Sequence, residues 1–193
     1  MADGRERIVQ QGFDEYVSLG SNCEVAFQLR RGGQTTAHFF DWASTPTCAL
    51  IALLQDRFAA ISADRRLDPQ PDGMVLDHHY GYRFYGPYCA EKAAHLATKF
   101  LKPTGRRCYI LKLAQTITKK DLRNIMRALR AINPDVTLVV LRHAKYASRP
   151  LTMPGVADRF LRRLAPLEDA HDGHIVSWDH VFMEFPLRVH QAV

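Results

Sequence analysis

No stretch of the sequence approaches 18 uncharged apolar residues, so none is long enough to cross a bilayer as a helix. The first residues, Met1-Ala2-Asp3-Gly4-Arg5-Glu6-Arg7, are charged and lead into no apolar stretch, so no secretory signal is expected. A cytoplasmic location follows as the expectation. The four cysteines, Cys23, Cys48, Cys89 and Cys108, include no C-x-x-C pair, which argues against a zinc knuckle or a thioredoxin-like motif. In a reducing compartment all four should be free thiols, three of them packed as small hydrophobes. Neither G-x-G-x-x-G nor G-K-[ST] occurs, and Gly32-Gly33 follows a helical stretch rather than opening one. Nucleotide-dependent chemistry therefore has no support, and no cofactor is expected. Internal repeats and low-complexity segments are also missing.

What remains is an ordinary globular composition. The chain has 193 residues, 47% hydrophobic and 24% charged, enough for one domain over residues 1–193 with a full core. Its formal net charge of +6 could attract an acidic partner. The basic residues are scattered as separate pairs, such as Arg30-Arg31, Arg106-Arg107 and Arg162-Arg163, without a nucleic-acid signature. A solvated basic surface is the simpler reading.

Along the chain, residues 13–19 read as a strand ending at Gly20. A helix follows over about 22–31, stopped by Gly32-Gly33. Thr45-Pro46 supplies an N-cap and a first-turn proline for a second helix carrying Leu50, Leu53, Leu54, Phe58 and Ile61. Residues 62–73 read as an exposed loop, followed by short strands at 74–77 and 80–85 and a helix over about 87–101. The clearest unit is β-α-β. Arg107-Leu113 is an apolar strand, Thr118 caps a helix with Asp121 three residues on, and Val136-Leu141 is a second apolar strand. Such a pair implies parallel strands covered on both faces with a right-handed crossover. The tail is less regular, with a last strand at 174–178. The expected fold is a three-layer α/β sandwich with a mainly parallel sheet.

The first strand-to-helix turn, Ser18-Leu19-Gly20-Ser21-Asn22-Cys23, concentrates the chemistry. Functional groups of open α/β sheets collect where strands end and helices begin. A helix N-terminus carries unpaired N–H groups and a partial positive charge, both of which lower a nearby thiol's pKa. Gly20 permits the sharp turn, and Ser21 or Asn22 suits the N-cap. The same N–H groups could hold an oxyanion. A cysteine at such a place can equally be a small buried side chain.

The run Ser18-Leu19-Gly20-Ser21-Asn22-Cys23-Glu24-Val25-Ala26, with Gln28-Leu29-Arg30-Arg31, Phe40-Asp41-Trp42 and Thr45-Pro46, resembles DUF1796, a bacterial family carrying the label of papain-like cysteine peptidases. The family pattern is S-L-G-x-x-C-x-x-A followed by F-D-W, matched densely over about thirty residues. The resemblance implies Cys23 as nucleophile and puts Asp41 and Trp42 on the F-D-W motif. It also implies an α+β papain-like fold as the alternative architecture. A histidine is expected near Asp77-His78-His79-Tyr80, although the family carries it slightly later, where this chain reads Phe84-Tyr85-Gly86. His38 stands where the family tends to proline.

A cysteine nucleophile needs a base oriented by a third group. His79 is the first choice and His38 the competitor, each also readable as an ordinary surface or structural histidine. Asp41 would orient the base, or simply close an Asx turn before Trp42. The run Asp169-Ala170-His171-Asp172-Gly173-His174 reads as a polar loop with an Asp-Gly turn. It lacks a second cluster at zinc spacing, so no metal is expected. Its late Asp/His content loosely resembles the G-D-S-L (SGNH) esterases, which would make Ser21 the nucleophile. Three readings stay open. One is a cysteine hydrolase or acyl transferase using Cys23, with Ser21, Asn22, His38 and Trp42 in binding roles. Another is a non-catalytic module for an anionic or carbohydrate ligand, and the last is a Ser21 esterase. The substrate would be a peptide, an acyl compound or a glycan.

Overall fold

A computed structural model describes residues 12–61, 66–86, 89–166, 169 and 171–188. In chain order the elements are β1 (Glu15–Ser18), α1 (Glu24–Arg31), β2 (Ala43–Ser44), α2 (Thr47–Gln55), β3 (Leu67–Pro69), β4 (Met74–Asp77) and β5 (Tyr82–Tyr85). After these come α3 (Ala90–Leu101), β6 (Arg107–Leu113), α4 (Lys119–Ile132), β7 (Thr137–His143), β8 (Val156–Leu161) and α5 (Ile175–Glu184). A short 3-10 turn, Ala144–Tyr146, follows β7.

Four strands form a parallel sheet in the order β1-β6-β7-β8. Its central strand β6 is buried at every position, as its apolar sequence demands of a strand covered on both faces. Alternation along the strands divides the core in two. Tyr16, Cys108, Ile110, Val139 and Leu141 pack with Val25 and Leu29 of α1 and Trp178 and Val181 of α5. Val17, Tyr109, Leu111, Leu138 and Val140 pack instead with Leu50, Leu53 and Leu54 of α2, Phe100 of α3, and Leu122, Ile125 and Leu129 of α4. The sheet thus lies between two helical layers. A separate antiparallel sheet, β2-β5-β4-β3, flanks the second layer. The α/β sandwich holds, and the antiparallel component of the alternative fold is a small satellite rather than the principal sheet.

Local signals explain much of this. The Thr118 hydroxyl accepts the Asp121 N–H at 3.0 Å, capping α4 as the sequence predicts. Helix α1 ends at Gly32, where the Gly33 N–H donates to the Arg30 carbonyl and the Gln34 N–H to the Leu29 carbonyl.

Several expectations are corrected. Thr45 does not cap α2: Pro46 takes the N-cap position and the Thr45 hydroxyl has no partner among the described residues. Phe58 and Ile61 are buried but lie beyond the end of α2. Leu67–Pro69, within the predicted loop, is strand β3, paired with β4; residues 62–65 of that loop are outside the described set. The β-branched run at 174–178 is helical, because the His174 side chain accepts the Ser177 N–H and Trp178 and Val181 then fall on one buried face. Strand β8 was not predicted from V-A-D-R-F-L. Its Asp158 is satisfied from the neighbouring strand, where the Arg142 Nε donates to it at 2.8 Å. Cys48 and Cys89 are exposed rather than packed, and only Cys23 and Cys108 are buried. The charged N-terminal residues 1–11 and Pro87 lie outside the described residues. Among the described residues no helix is long and apolar enough to cross a membrane.

Candidate functional site

At the end of β1 the chain turns through two left-handed residues, Gly20 (φ 84°) and Ser21 (φ 96°). A side chain at Gly20 would also meet the Thr45 Oγ1 at 2.6 Å, so glycine is required there twice over. Ser21 has no such exemption, and a non-glycine residue in this region carries about 1–3 kcal/mol of strain. Neither Ser21 nor Asn22 takes the N-cap position, which falls to Cys23; Asn22 instead closes an Asx turn just before the helix, its Oδ1 accepting the Glu24 N–H at 3.3 Å while its Nδ2 donates to the Ala165 carbonyl at 3.4 Å. The backbone N–H groups of Ser21 and Asn22 donate to nothing among the described residues.

Cys23 occupies the N-cap position of α1 and is buried, 6% exposed. Its thiol lies above the ordinary 9.0. Burial is the largest cause and the negative charge of Asp41 adds to it. The Cys23 amide and the Lys112 ammonium pull the other way and lose. The helix N-terminus alone predicts a lowered thiol, but desolvation outweighs it here.

Directly behind Cys23, Glu24 is fully buried and anchors three elements. Its Oε2 lies 2.5 Å from the Lys112 Nζ of β6 and accepts the Ala165 N–H at 2.9 Å; its Oε1 accepts the Trp178 indole N–H at 2.9 Å. A side chain at Gly173 would meet Glu24 Oε1 at 2.5 Å, so the loop before α5 can close over the carboxylate only with glycine there. Burial lowers the Lys112 ammonium, while the Glu24 carboxylate opposes that shift.

The other sequence candidates divide into neighbours and outliers. Asp41 reaches Cys23 through its charge, accepts the His38 backbone N–H at 3.0 Å, and pairs with Arg30 at 3.2 Å. Trp42 is half exposed, with the Arg30 guanidinium 4.6 Å above its ring and Phe27 edge-on at 5.3 Å. The His38 ring turns away to Glu15, its Nε2 at 3.2 Å from Oε2. His79 sits in the β4–β5 turn, its N–H on Asp77 and its ring against Tyr80. Among the described residues no histidine hydrogen-bonds to Cys23. The histidine that does pack on α1 is His171, its ring centroid 3.5 Å from that of Phe27, one turn beyond Cys23 on the same helix face. The D-A-H-D-G-H run was its only sequence signal.

The turn also borders a crevice. Helix α1 leaves β1 toward one face of the sheet and α4 leaves the adjacent β6 toward the other. Such a divergence opens a cleft at the carboxyl ends of the two strands, where α/β proteins bind ligands. Here it measures about 400 Å³, lined by Ser21, by residues 44–47 and by residues 111–116. Ser21 Oγ and Thr45 Oγ1 are both buried there without a hydrogen-bond partner. Sequence reasoning missed Thr45 and Lys112 as site residues, one read as a helix cap and the other submerged in an apolar strand. Among the described residues no group of three His, Cys, Asp or Glu side chains could hold a metal ion.

Compared with known proteins, no curated protein and no solved structure matches the chain significantly. A family profile does, over residues 14–167, with the description "Putative papain-like cysteine peptidase (DUF1796)". That match takes in the Cys23 turn, the Asp41-Trp42 segment and the whole parallel sheet. The chain belongs to the DUF1796 family.

Proposed function

We propose that the crevice between β1 and β6 binds a ligand through an anionic or strongly polarised oxygen, such as a carboxylate or acyl oxygen. The observation that carries this is the pair of buried hydroxyls without partners, Ser21 Oγ and Thr45 Oγ1, in one crevice. An unpaired buried hydroxyl costs about 1–3 kcal/mol, so two in one cleft need a reason. The unpartnered N–H groups of Ser21 and Asn22 at the start of α1 add donors suited to negative charge. The test is a 15N NMR titration with acetate and with inorganic phosphate. Saturable shifts at Ser21, Asn22 and Cys23, weakened in Thr45→Val, support the reading. Shifts that stay linear and small at these three amides overturn it.

A second reading is cysteine-dependent acyl transfer or hydrolysis, favoured by the family's description and by His171 on the Cys23 face of α1. Cys23 would attack the carbonyl, its proton passing to His171, and the leaving group would depart as the thioester forms. The raised thiol means that the resting cysteine is protonated near neutral pH, so His171 would have to move in when substrate binds. With p-nitrophenyl acetate this reading requires a burst that Cys23→Ala and His171→Ala abolish and Ser21→Ala leaves. A burst lost only in Ser21→Ala transfers the chemistry to a serine esterase. No burst in the unaltered protein leaves binding alone.

A further inference from the structure

A second pocket lies away from the crevice, between the antiparallel sheet and α3, lined by His38, Trp42, Tyr85, Lys92 and neighbouring Phe39 and Phe84. We propose that it holds one pyranose ring of an acidic carbohydrate, a hexuronic acid residue. The backbone sets the platform. The Tyr85 N–H donates to the Trp42 carbonyl at 3.0 Å and extends the β2–β5 register, so Trp42 and Tyr85 are cross-strand neighbours on one face. Both rings are unusually open for their size, Trp42 at 38% and Tyr85 at 44% exposure. They do not stack on each other, so they form two adjacent walls rather than a slot for a flat base. The C–H face of a pyranose presents weakly positive hydrogens to the negative faces of such rings.

Two polar features select within that class. The His38 ring is 2% exposed, and its Nδ1 has no hydrogen-bond partner among the described residues. Its Nε2 faces the Glu15 carboxylate. His38 lines the pocket, and a sugar hydroxyl, which both donates and accepts, can pair with Nδ1 in either protonation state where an apolar ring cannot. Lys92, exposed at the rim, supplies positive charge for a sugar carboxylate. The space, about 110 Å³, is smaller than the ~150 Å³ cavity that encloses one benzene ring, so it takes one face of a single ring and leaves the other in solvent.

Two-dimensional NMR tests this with sodium glucuronate, glucose and benzoate as probes. The protein has two tryptophans, and buried Trp178 is the internal control for Trp42. Glucuronate should shift the Trp42 indole N–H and the His38 Nδ1 resonance saturably and leave Trp178 unmoved. Tyr85→Ser should weaken binding about three- to tenfold, the range of one aromatic contact. Lys92→Gln, another exposed position, should erase the preference for glucuronate over glucose. The proposal is overturned if neither sugar shifts the two reporters. Benzoate binding as tightly as glucuronate also overturns it, since the pocket would then be a plain apolar ring site. None of these outcomes depends on whether the β1–β6 crevice binds acetate or phosphate.

Discussion

The Lys112 Nζ lies 2.5 Å from the Oε2 of Glu24, the residue after Cys23, and both side chains are removed from solvent. This pair ties β6 to α1, and through Trp178 and Ala165 it ties both to α5 and the loop before it. A buried ion pair with all its hydrogen bonds made is costly to break by halves. Lys112→Met should therefore destabilise the protein by about 3–5 kcal/mol, because the Glu24 charge is stranded. The double variant Glu24→Gln/Lys112→Met should recover more than half of that, since the glutamine carbonyl still accepts from Trp178 or Ala165. Urea unfolding measures both; equal losses in the single and double variants would refute the coupling.

Glu15 makes stability depend on pH. Burial pushes its carboxyl up, but the hydrogen bond and charge of His38 and the Arg107 guanidinium outweigh that and hold it at about 2, below the ordinary 4.5. A group depressed in the folded state contributes fully above the unfolded value and loses its contribution as pH falls toward the folded one. The window is thus pH 4.5 down to about 2. The loss across it should be of the order of 3 kcal/mol for this mostly buried carboxyl. Denaturant midpoints measured through that range should fall steeply in the native protein and flatten in Glu15→Gln.

Thiol reactivity should follow exposure rather than helix position. Cys48 and Cys89 should alkylate first near neutral pH, with Cys23 slow and Cys108, whose thiol burial raises strongly, slowest. Because Asp41 helps hold the Cys23 thiol up, Asp41→Asn should move the onset of Cys23 alkylation to lower pH. Peptide mapping by mass spectrometry after timed iodoacetamide exposure resolves the four sites. Cys23 reacting ahead of both exposed cysteines at neutral pH is the result that contradicts this ordering.

Thr45 should trade stability for binding. Its hydroxyl is buried and unpaired, so Thr45→Val, which replaces it with a methyl of similar shape, should stabilise the free protein by about 1 kcal/mol. The same change should weaken acetate binding at the Ser21–Cys23 amides. A thermal melt and the titration on one sample compare the two effects; a destabilised variant would mean that the hydroxyl is satisfied after all.

The elements legible from the sequence were those whose signal is local. Strand β6, apolar throughout, and helix α4, capped by Thr118 and Asp121, needed only their own residues to be recognised. The sharp turn at Gly20 and the cysteine at the start of α1 were readable for the same reason, but the left-handed backbone of Ser21 was not. Strand β8 and helix α5 were not, since Asp158 is satisfied from β7 and a strand-like run is turned helical by its burial on the sheet.

At the site the division is sharper. The sequence by itself determined that Cys23 stands at a strand-to-helix turn and that Asp41 and Trp42 follow in one motif. Only the tertiary structure decided the thiol's electrostatics, because burial and Asp41 act through space and outweigh the local helix terminus. It also decided which distant groups surround the turn, bringing Lys112 from 88 positions away and Trp178 from 154 positions away onto Glu24, and His171 onto Phe27. Those partners have no mark in sequence, since a buried lysine in an apolar strand is recognisable only once its carboxylate is in view.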